Sequence, residues 1–223
     1  MLNSDVLNSI GRKQGTDKTG GAEGTHDFLR KYEFFLEPFK DQDITLLELG
    51  VYKGGSLRTW AEHFPKARIV GVDIEEDCLS QADGRIEVII GDLSQSAFLE
   101  SLALLLPTIV IDDASHWWPD QLRALFILYP ALAPGSIYII EDVHTSFEPL
   151  APLFSCDLDT PPFKFLMKLS EYMTGDDQKA PVVDKGALVP LERDPKFDKE
   201  LRYLADLTDA VIFIKRAVIL IRK

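Results

Sequence analysis

The chain has 223 residues, 46% of them hydrophobic, and a formal net charge of -12 at pH 7. That length suits one large domain with a sizeable core, and the acidity argues against nucleic acid as a main partner, because phosphate binding needs a basic face. No apolar run approaches the roughly 20 residues of a membrane span; residues 1–18 show no signal-peptide pattern; and Cys78 and Cys156 lie far apart in no metal-ligand spacing, so free thiols in a cytoplasmic chain are expected.

Residues 1–25 are polar and carry Gly15, Gly20, Gly21 and Gly24, which reads as a loop or surface arm, with a flap over a ligand as the functional alternative. From Asp27 the pattern turns helical: Phe28, Tyr32, Phe35, Leu36 and Phe39 recur at the spacing of one buried face, with Pro38 near the end. Residues 44–50 (ITLLELG) form a short buried strand that ends in Glu48-Leu49-Gly50. Glycines follow at 54 and 55, then Ser56, then a helix through Leu57, Trp60 and Ala61. A strand, a glycine turn and a helix start make a pocket for a polar small molecule, since glycine lets the backbone come close and the helix offers free N–H groups. The spacing is not that of a dinucleotide fingerprint, which disfavours a nicotinamide oxidoreductase. An acid just before the turn would also repel a pyrophosphate. Glu48 suits a ligand with a positive amino group, which points to S-adenosylmethionine.

The second strand, residues 67–74, ends in Asp73, about 20 residues beyond the turn, where a Rossmann-like fold sets a carboxylate on ribose hydroxyls. A short helix and the Asp83-Gly84 turn lead to a third strand, 85–93, ending in Gly91-Asp92. Asp92 suits an adenine amino group or, equally, the turn that launches the helix over SQSAFLESLALLL. The fourth strand ends in the sharpest feature of the chain: Ile109 to Ile111, then Asp112, Asp113, Ala114, Ser115 and His116, before a helix that buries Leu122, Leu125, Phe126, Tyr129 and Leu132. The fifth, 136–144, ends in Glu141 and Asp142 with His144 beyond. Neighbouring strands ending in acids and imidazoles suggest a divalent metal and a general base at the open sheet edge. The plainer readings are that Asp112 or Asp113 caps the following helix, that Asp112 faces the ligand, and that His116 is structural or yields its role to His144.

Residues 145–209 break the alternation, with helices expected over FKFLMKLSEYM and FDKELRYLADL and a long polar loop between them that suits a lid. The last 14 residues hold two apolar runs separated by Lys215-Arg216, too close for a crossover helix, so they pair as an antiparallel hairpin. The whole reads as a single α/β domain over 1–223, with 1–40 as N-terminal arm and helix and 145–209 as a lid or insert.

The run ELGVYKGGS, the acid of GVD, the GD after the third strand, DDASH and EDVHTSF, together with GTDK and HDFLRKYEFF, resemble the metal-dependent sugar O-methyltransferases of macrolide and related antibiotic pathways, of the mycinamicin type, a branch of the class I methyltransferases. The resemblance spans roughly residues 15–148 and the terminal hairpin. It implies a Rossmann-like seven-stranded, mostly parallel sheet of order 3-2-1-4-5-7-6 with the seventh strand antiparallel, S-adenosylmethionine as methyl donor and Mg2+ as metal. Carried across by position, it implies Asp113, Glu141 and Asp142 as metal ligands and His116 as general base. Glu48, Gly50, Asp73 and Asp92 then match donor-binding positions within the turn that includes Gly54 and Ser56, with Asp112 toward the methionine end and Thr16 to Lys18 closing over the donor. Two adjacent hydroxyls chelated by such a metal make a vicinal diol, on a sugar or natural product, the expected acceptor. The chain departs from its larger relatives in lacking their long N-terminal domain, which leaves homo-oligomerisation open. A second branch, resembling cephalosporin hydroxylase-type proteins, shares the fold and acids and implies a non-catalytic or hydroxylase-associated donor-binding protein instead. A side chain filling the space among Asp113, Glu141 and Asp142 would favour such a scaffold.

Overall fold

The computed structural model of the chain describes residues 5–21, 23–174 and 198–223. Seven strands form one sheet: β1 (Thr45–Leu49), β2 (Arg68–Asp73), β3 (Ile86–Ile90), β4 (Ile109–Asp112), β5 (Ile137–Ile140), β6 (Thr208–Ile214) and β7 (Ala217–Arg222). Their order is β3-β2-β1-β4-β5-β7-β6, with β7 antiparallel to both neighbours and the other pairs parallel. This is the order the resemblance implies, and the hairpin turns at Lys215-Arg216 as expected.

Alternation along the strands sends successive side chains to opposite faces. Leu47, Val70, Val110, Tyr138 and Leu220 face one layer, and Leu46, Ile69, Ile109, Ile137 and Ile219 the other. The second layer holds α1 (Val6–Gln14), α2 (Leu29–Leu36) and α3 (Gly55–His63); the first holds α4 (Ser96–Ala103) and α5 (Trp118–Ala131). A four-residue helix, α6 (Ala151–Phe154), precedes α7 (Pro162–Thr174), and α8 (Asp198–Leu207) leads into the hairpin. The parallel register sets Leu49 beside Val72 and Asp112, and Asp112 beside Ile140. The exits of β1, β4 and β5 therefore lie level, which brings Gly50, Asp113 and Glu141 to one edge.

Three expectations change. Residues 6–14, expected within a polar loop, are helical: Leu7 is fully buried, and Gly11 leaves room for Leu29, whose Cδ1 lies 2.3 Å from where a Cβ would stand. Gly15, at φ 76°, ends this helix with its N–H on the Gly11 carbonyl. Neither Asp112 nor Asp113 caps α5, whose first turn has no side-chain cap bond. Instead the Trp117 N–H donates to Ser115 Oγ at 3.3 Å, and that hydroxyl donates to Asp120 at 2.9 Å. Third, the described part of the expected lid belongs to the core layer: Phe165, Leu166 and Leu169 of α7 and Leu201 and Leu204 of α8 pack on the sheet face of Tyr138 and Leu220. The loop expected over 176–196 lies outside the described residues.

His63 ends α3 with 1% exposure, neither ring nitrogen hydrogen-bonded, edge-on to Phe64 at 4.7 Å. Burial, reinforced by Lys40, lowers its pKa from 6.5, and Glu37 and Glu33 only partly oppose this. The folded state thus prefers the neutral ring, so its contribution to stability is present above 6.5 and is lost as pH falls below it. His63→Phe should flatten the acid side of the stability–pH curve; urea midpoints that fall in parallel with the parent's would exclude this. Gly50 is a steric constraint of another kind. At φ 96° its Cβ would lie 2.2 Å from the Asp113 carbonyl oxygen. Gly50→Ala should cost about 2 kcal/mol or more in denaturant unfolding, whereas a change below about 0.5 kcal/mol would show that the β1 and β4 exits can separate freely.

Candidate functional site

After Gly15 the chain crosses the start of α3, where Gly55 has no side chain and the arm backbone lies 3.1–3.2 Å from the position of a Cβ. The arm is tied to the approach of α2: the His26 N–H donates to the Asp17 carbonyl at 2.9 Å, and the Phe28 and Leu29 N–H groups donate to the Lys18 carbonyl at 2.8 and 3.1 Å. Lys18 then turns inward and is 2% exposed. Its ammonium contacts Asp113 Oδ2, lies 2.8 Å from Glu141 Oε2 and is 3.6 Å from Glu48 Oε1. Burial alone would favour the neutral amine; Asp113, Glu141 and Glu48 outweigh it and hold the Lys18 pKa well above 10.5.

The acids around it are in excess. Glu48 is fully buried and accepts bonds on Oε2 from Ser56 Oγ (2.7 Å) and Trp60 Nε1 (3.1 Å). Burial still raises its pKa to about 7, against Lys18. Burial and the neighbouring Asp113 raise Glu141 as well, again against Lys18. The Glu48 Oε1 and Glu141 Oε1 atoms are buried without a hydrogen bond. The Tyr32 hydroxyl, expected only as core, faces the same cluster: burial, then the charges of Glu141 and Asp113, push its pKa well above 10. Among the described residues one ammonium meets three carboxylates, Glu48 and Glu141 buried and Asp113 half-buried, so this edge is short of positive charge.

A second group lies outward of the first. Asp113 Oδ1 is 3.9 Å from His116 Nε2, which is 3.5 Å from Asp142 Oδ2. One ligand atom from each of Asp113, His116 and Asp142 lies within 4.8 Å of the others. His116 (φ 56°) and Asp142 (φ 53°) both hold left-handed backbone, uncommon for residues with side chains. Gln121 Nε2 donates to the Glu141 carbonyl at 2.9 Å and fixes the chain just before Asp142. His144 Nδ1 is 3.3 Å from Asp142 Oδ1, but His144 does not line the cavity beside this group.

That cavity encloses about 940 Å³. Of the residues expected from sequence, Thr16, Lys18, Gly50, Ser56, Asp73, Asp92, Asp113, His116 and Asp142 line it. Glu48, Gly54, Asp112 and Glu141 do not. Glu48 and Glu141 are buried against the ammonium of Lys18, away from the cavity wall. Gly54 precedes α3 at φ 66°, and a Cβ there would meet Gln81 and Arg58 rather than a ligand. Asp112 is 2% exposed; burial raises its pKa to about 7, although the Ala114 N–H opposes this. Asp73 spends both oxygens on the backbone: Oδ2 accepts from Val51 and Tyr52 at 2.8 and 3.2 Å and Oδ1 from Glu75 at 3.1 Å. Burial would raise it, but these N–H groups hold it below its usual value. Asp92 accepts from the Ser94 N–H at 2.8 Å and so shapes the turn before α4 while facing the cavity. Asp17, within the segment Thr16 to Lys18 expected to close over the donor, lines it too, as do His26, Tyr52, Ser115 and Trp117, to which the sequence assigned no ligand. Among the described residues, nothing from 145–174 or 198–209 does; the arm forms that part of the wall.

No family model matches the chain. In sequence it is similar to the 8-demethyl-8-alpha-L-rhamnosyl tetracenomycin-C 2'-O-methyltransferase of Streptomyces olivaceus, with 35% identity over 152 residues, 64% of this chain and 39% of that protein. It is also similar to the mycinamicin VI 2''-O-methyltransferase of Micromonospora griseorubida, with 37% identity over 134 residues, 56% of this chain and 33% of that protein. The chain thus matches less than half the length of either relative. In structure it is similar to the MycE methyltransferase of the mycinamycin pathway, solved with Mg, SAH and mycinamycin VI, at a TM-score of 0.77 and 24% identity over 99% of this chain and 55% of that one. The chain has the class I methyltransferase fold, and these two sequence relatives are O-methyltransferases named for a rhamnosyl tetracenomycin-C and mycinamicin VI.

Proposed function

We propose that the chain is an S-adenosylmethionine-dependent O-methyltransferase that methylates a hydroxyl of a small molecule, a vicinal diol on a sugar or related natural product, with Mg2+ and His116 assisting. The observation that carries this is the opening of the Asp113–His116–Asp142 group into the same cavity as the glycine turn, above a buried edge short of positive charge. The two carboxylates of the set fit a hard divalent ion, and Glu141 Oε1, buried without a hydrogen bond, is the third oxygen this reading assigns to it. Asp113, Asp142 and Glu141 would hold such an ion, which supplies Lewis acidity toward adjacent hydroxyls and a template for them. On the other side, Gly50, Asp73 and Asp92 offer close backbone approach and carboxylates to the donor's ribose and base. The names of the relatives, which act on rhamnosyl and mycinamicin acceptors, support the sugar class.

In the proposed reaction the acceptor oxygen gains the methyl carbon as the carbon–sulfur bond breaks, and the hydroxyl proton passes to His116. Its Nε2 lies 3.9 Å from Asp113 Oδ1 and 3.5 Å from Asp142 Oδ2, beside the cavity where the acceptor would sit. The cavity wall favours His116 over His144 for this role. The acidic composition fits a small acceptor better than a nucleic acid. A cytoplasmic setting belongs to the same proposal; Cys78 and Cys156 are free thiols, and no described helix is long and apolar enough to cross a membrane.

One observation favours a second reading, a donor-binding scaffold without catalysis: the Lys18 side chain fills part of the space between Asp113 and Glu141. Methyl transfer discriminates the two. Titration calorimetry should detect S-adenosylmethionine binding, and a panel of glycosides and diols should show transfer that chelator abolishes and Mg2+ restores. Donor binding without transfer to any diol would favour the scaffold, and no donor binding at all would end both readings. Within the enzyme, His116→Ala should slow single-turnover transfer by roughly 100- to 10,000-fold, while Asp142→Asn should remove the response to Mg2+ and leave donor affinity within about threefold. A near-native rate in His116→Ala would move the base elsewhere.

A further inference from the structure

The arm that carries Lys18 is tied by hydrogen bonds to α1 and to the approach of α2. Thr16, Lys18 and Thr19 are buried, yet its neighbours are glycines, Asp17 is exposed, and its backbone bonds run to α1 and to the approach of α2 rather than to the sheet. What reaches from the arm to the sheet edge is the Lys18 side chain, which meets the exits of three central strands at once: Glu48 of β1, Asp113 after β4 and Glu141 after β5. The ammonium takes one oxygen of each acid. Asp113 keeps Oδ1 toward His116, and Glu141 keeps a buried, unbonded Oε1.

We propose that Lys18 is a positioning residue, the resident cation of this acid cluster: it seats the arm as a wall of the cavity and, by sharing Asp113 and Glu141 with the divalent-ion site, weakens that site's hold on the ion. The proposal rests on the metal reading above and goes beyond it by assigning the cluster two cations of unequal tenure. One is covalently part of the chain and the other comes from solution. The sign follows from charge. An ammonium in contact with a shared carboxylate repels a dication on the carboxylate's other oxygen, and inside the protein that repulsion exceeds what a changed rotamer of Asp113 would cost. Removing the ammonium should therefore loosen the arm and tighten divalent-ion binding together. A purely structural lysine would do only the first.

The test compares the parent, Lys18→Met and Leu7→Ala, a control that weakens the packing of α1 without touching the acids. In metal-free buffer, amides of residues 16–29 should exchange roughly tenfold or more faster in Lys18→Met. Titrated with MgCl2 alone, Lys18→Met should bind on the order of tenfold more tightly than the parent and gain a larger rise in melting temperature. Leu7→Ala should loosen α1 and the arm with the parent's Mg2+ affinity. If Lys18→Met does not fold without metal, Lys18→Met/Glu48→Gln removes one buried charge along with the ammonium and serves in its place. Recovery of folding on adding Mg2+ would itself support the proposal. Unchanged arm exchange, or Mg2+ affinity equal to or below the parent's, overturns it. A parent that responds to Mg2+ while Lys18→Met responds no better overturns this inference and spares the metal reading. A cluster that ignores Mg2+ in every variant ends both.

Discussion

Buried carboxylate charge at the carboxyl edge of β1, β4 and β5 is the constraint on which the site depends. Parallel strands bury both faces, so their exits carry side chains into an interior of low dielectric. Glu48, Asp113 and Glu141 meet there, and a single ammonium answers them. A buried pair broken on one side typically costs about 3–5 kcal/mol. That adds to the backbone bonds from residues 26–29 that already hold the glycine-rich segment. The course of the arm over the cavity, the orientation of Asp113 and the burial of Glu48 follow from the same need for a counter-charge.

The backbone bears the cost of meeting that need. Gly50 must lie against the Asp113 carbonyl for β1 and β4 to end level, and only a residue without a Cβ fits at φ 96°. His116 and Asp142 take left-handed conformations a few residues past their strands. Their side chains, with Asp113, form the outward group. Unfavourable backbone at residues whose side chains converge on a cavity is the pattern expected where geometry is retained for chemistry rather than for stability.

Much of this was legible in the sequence, and the reason is physical. Continuous apolar runs ending in acids define parallel strands and their open edge, so the fold, the strand order carried by the resemblance and the line of Gly50, Asp113 and Glu141 could be read before any coordinates. Residues that serve the structure locally were harder to read. Asp73 has the spacing of a ribose ligand, and three backbone N–H groups also bond its oxygens, a second role that spacing cannot reveal. Asp112 sits one residue from Asp113 but points into the core, because the strand's period of two sends neighbours to opposite faces. The helix Val6–Gln14 escaped notice because only Leu7, Asn8 and Gly11 of it are buried, too few to show a helical apolar stripe. Lys18 read as part of an arm closing over the donor; its burial among acids 30, 95 and 123 residues away could not be read from that segment.

Asp113 is where the two halves of the site meet, and its two oxygens separate their effects. Oδ2 belongs to the inner cluster with Lys18, Glu48 and Glu141; Oδ1 faces outward to His116 and Asp142. A change at Asp113 therefore disturbs the seating of the arm and the outward group together, and its consequences cannot be assigned to either. Glu48 touches Lys18, Ser56 and Trp60 but not the outward group, and the side-chain ion pairs of Asp142 run to the outward histidines. The chemistry of the outward group is thus best read from position 142, and the electrostatics of the inner cluster from position 48. Energetic coupling between these two positions, measured in a double-mutant cycle, would have to pass through Asp113 or Glu141, the acids that border both.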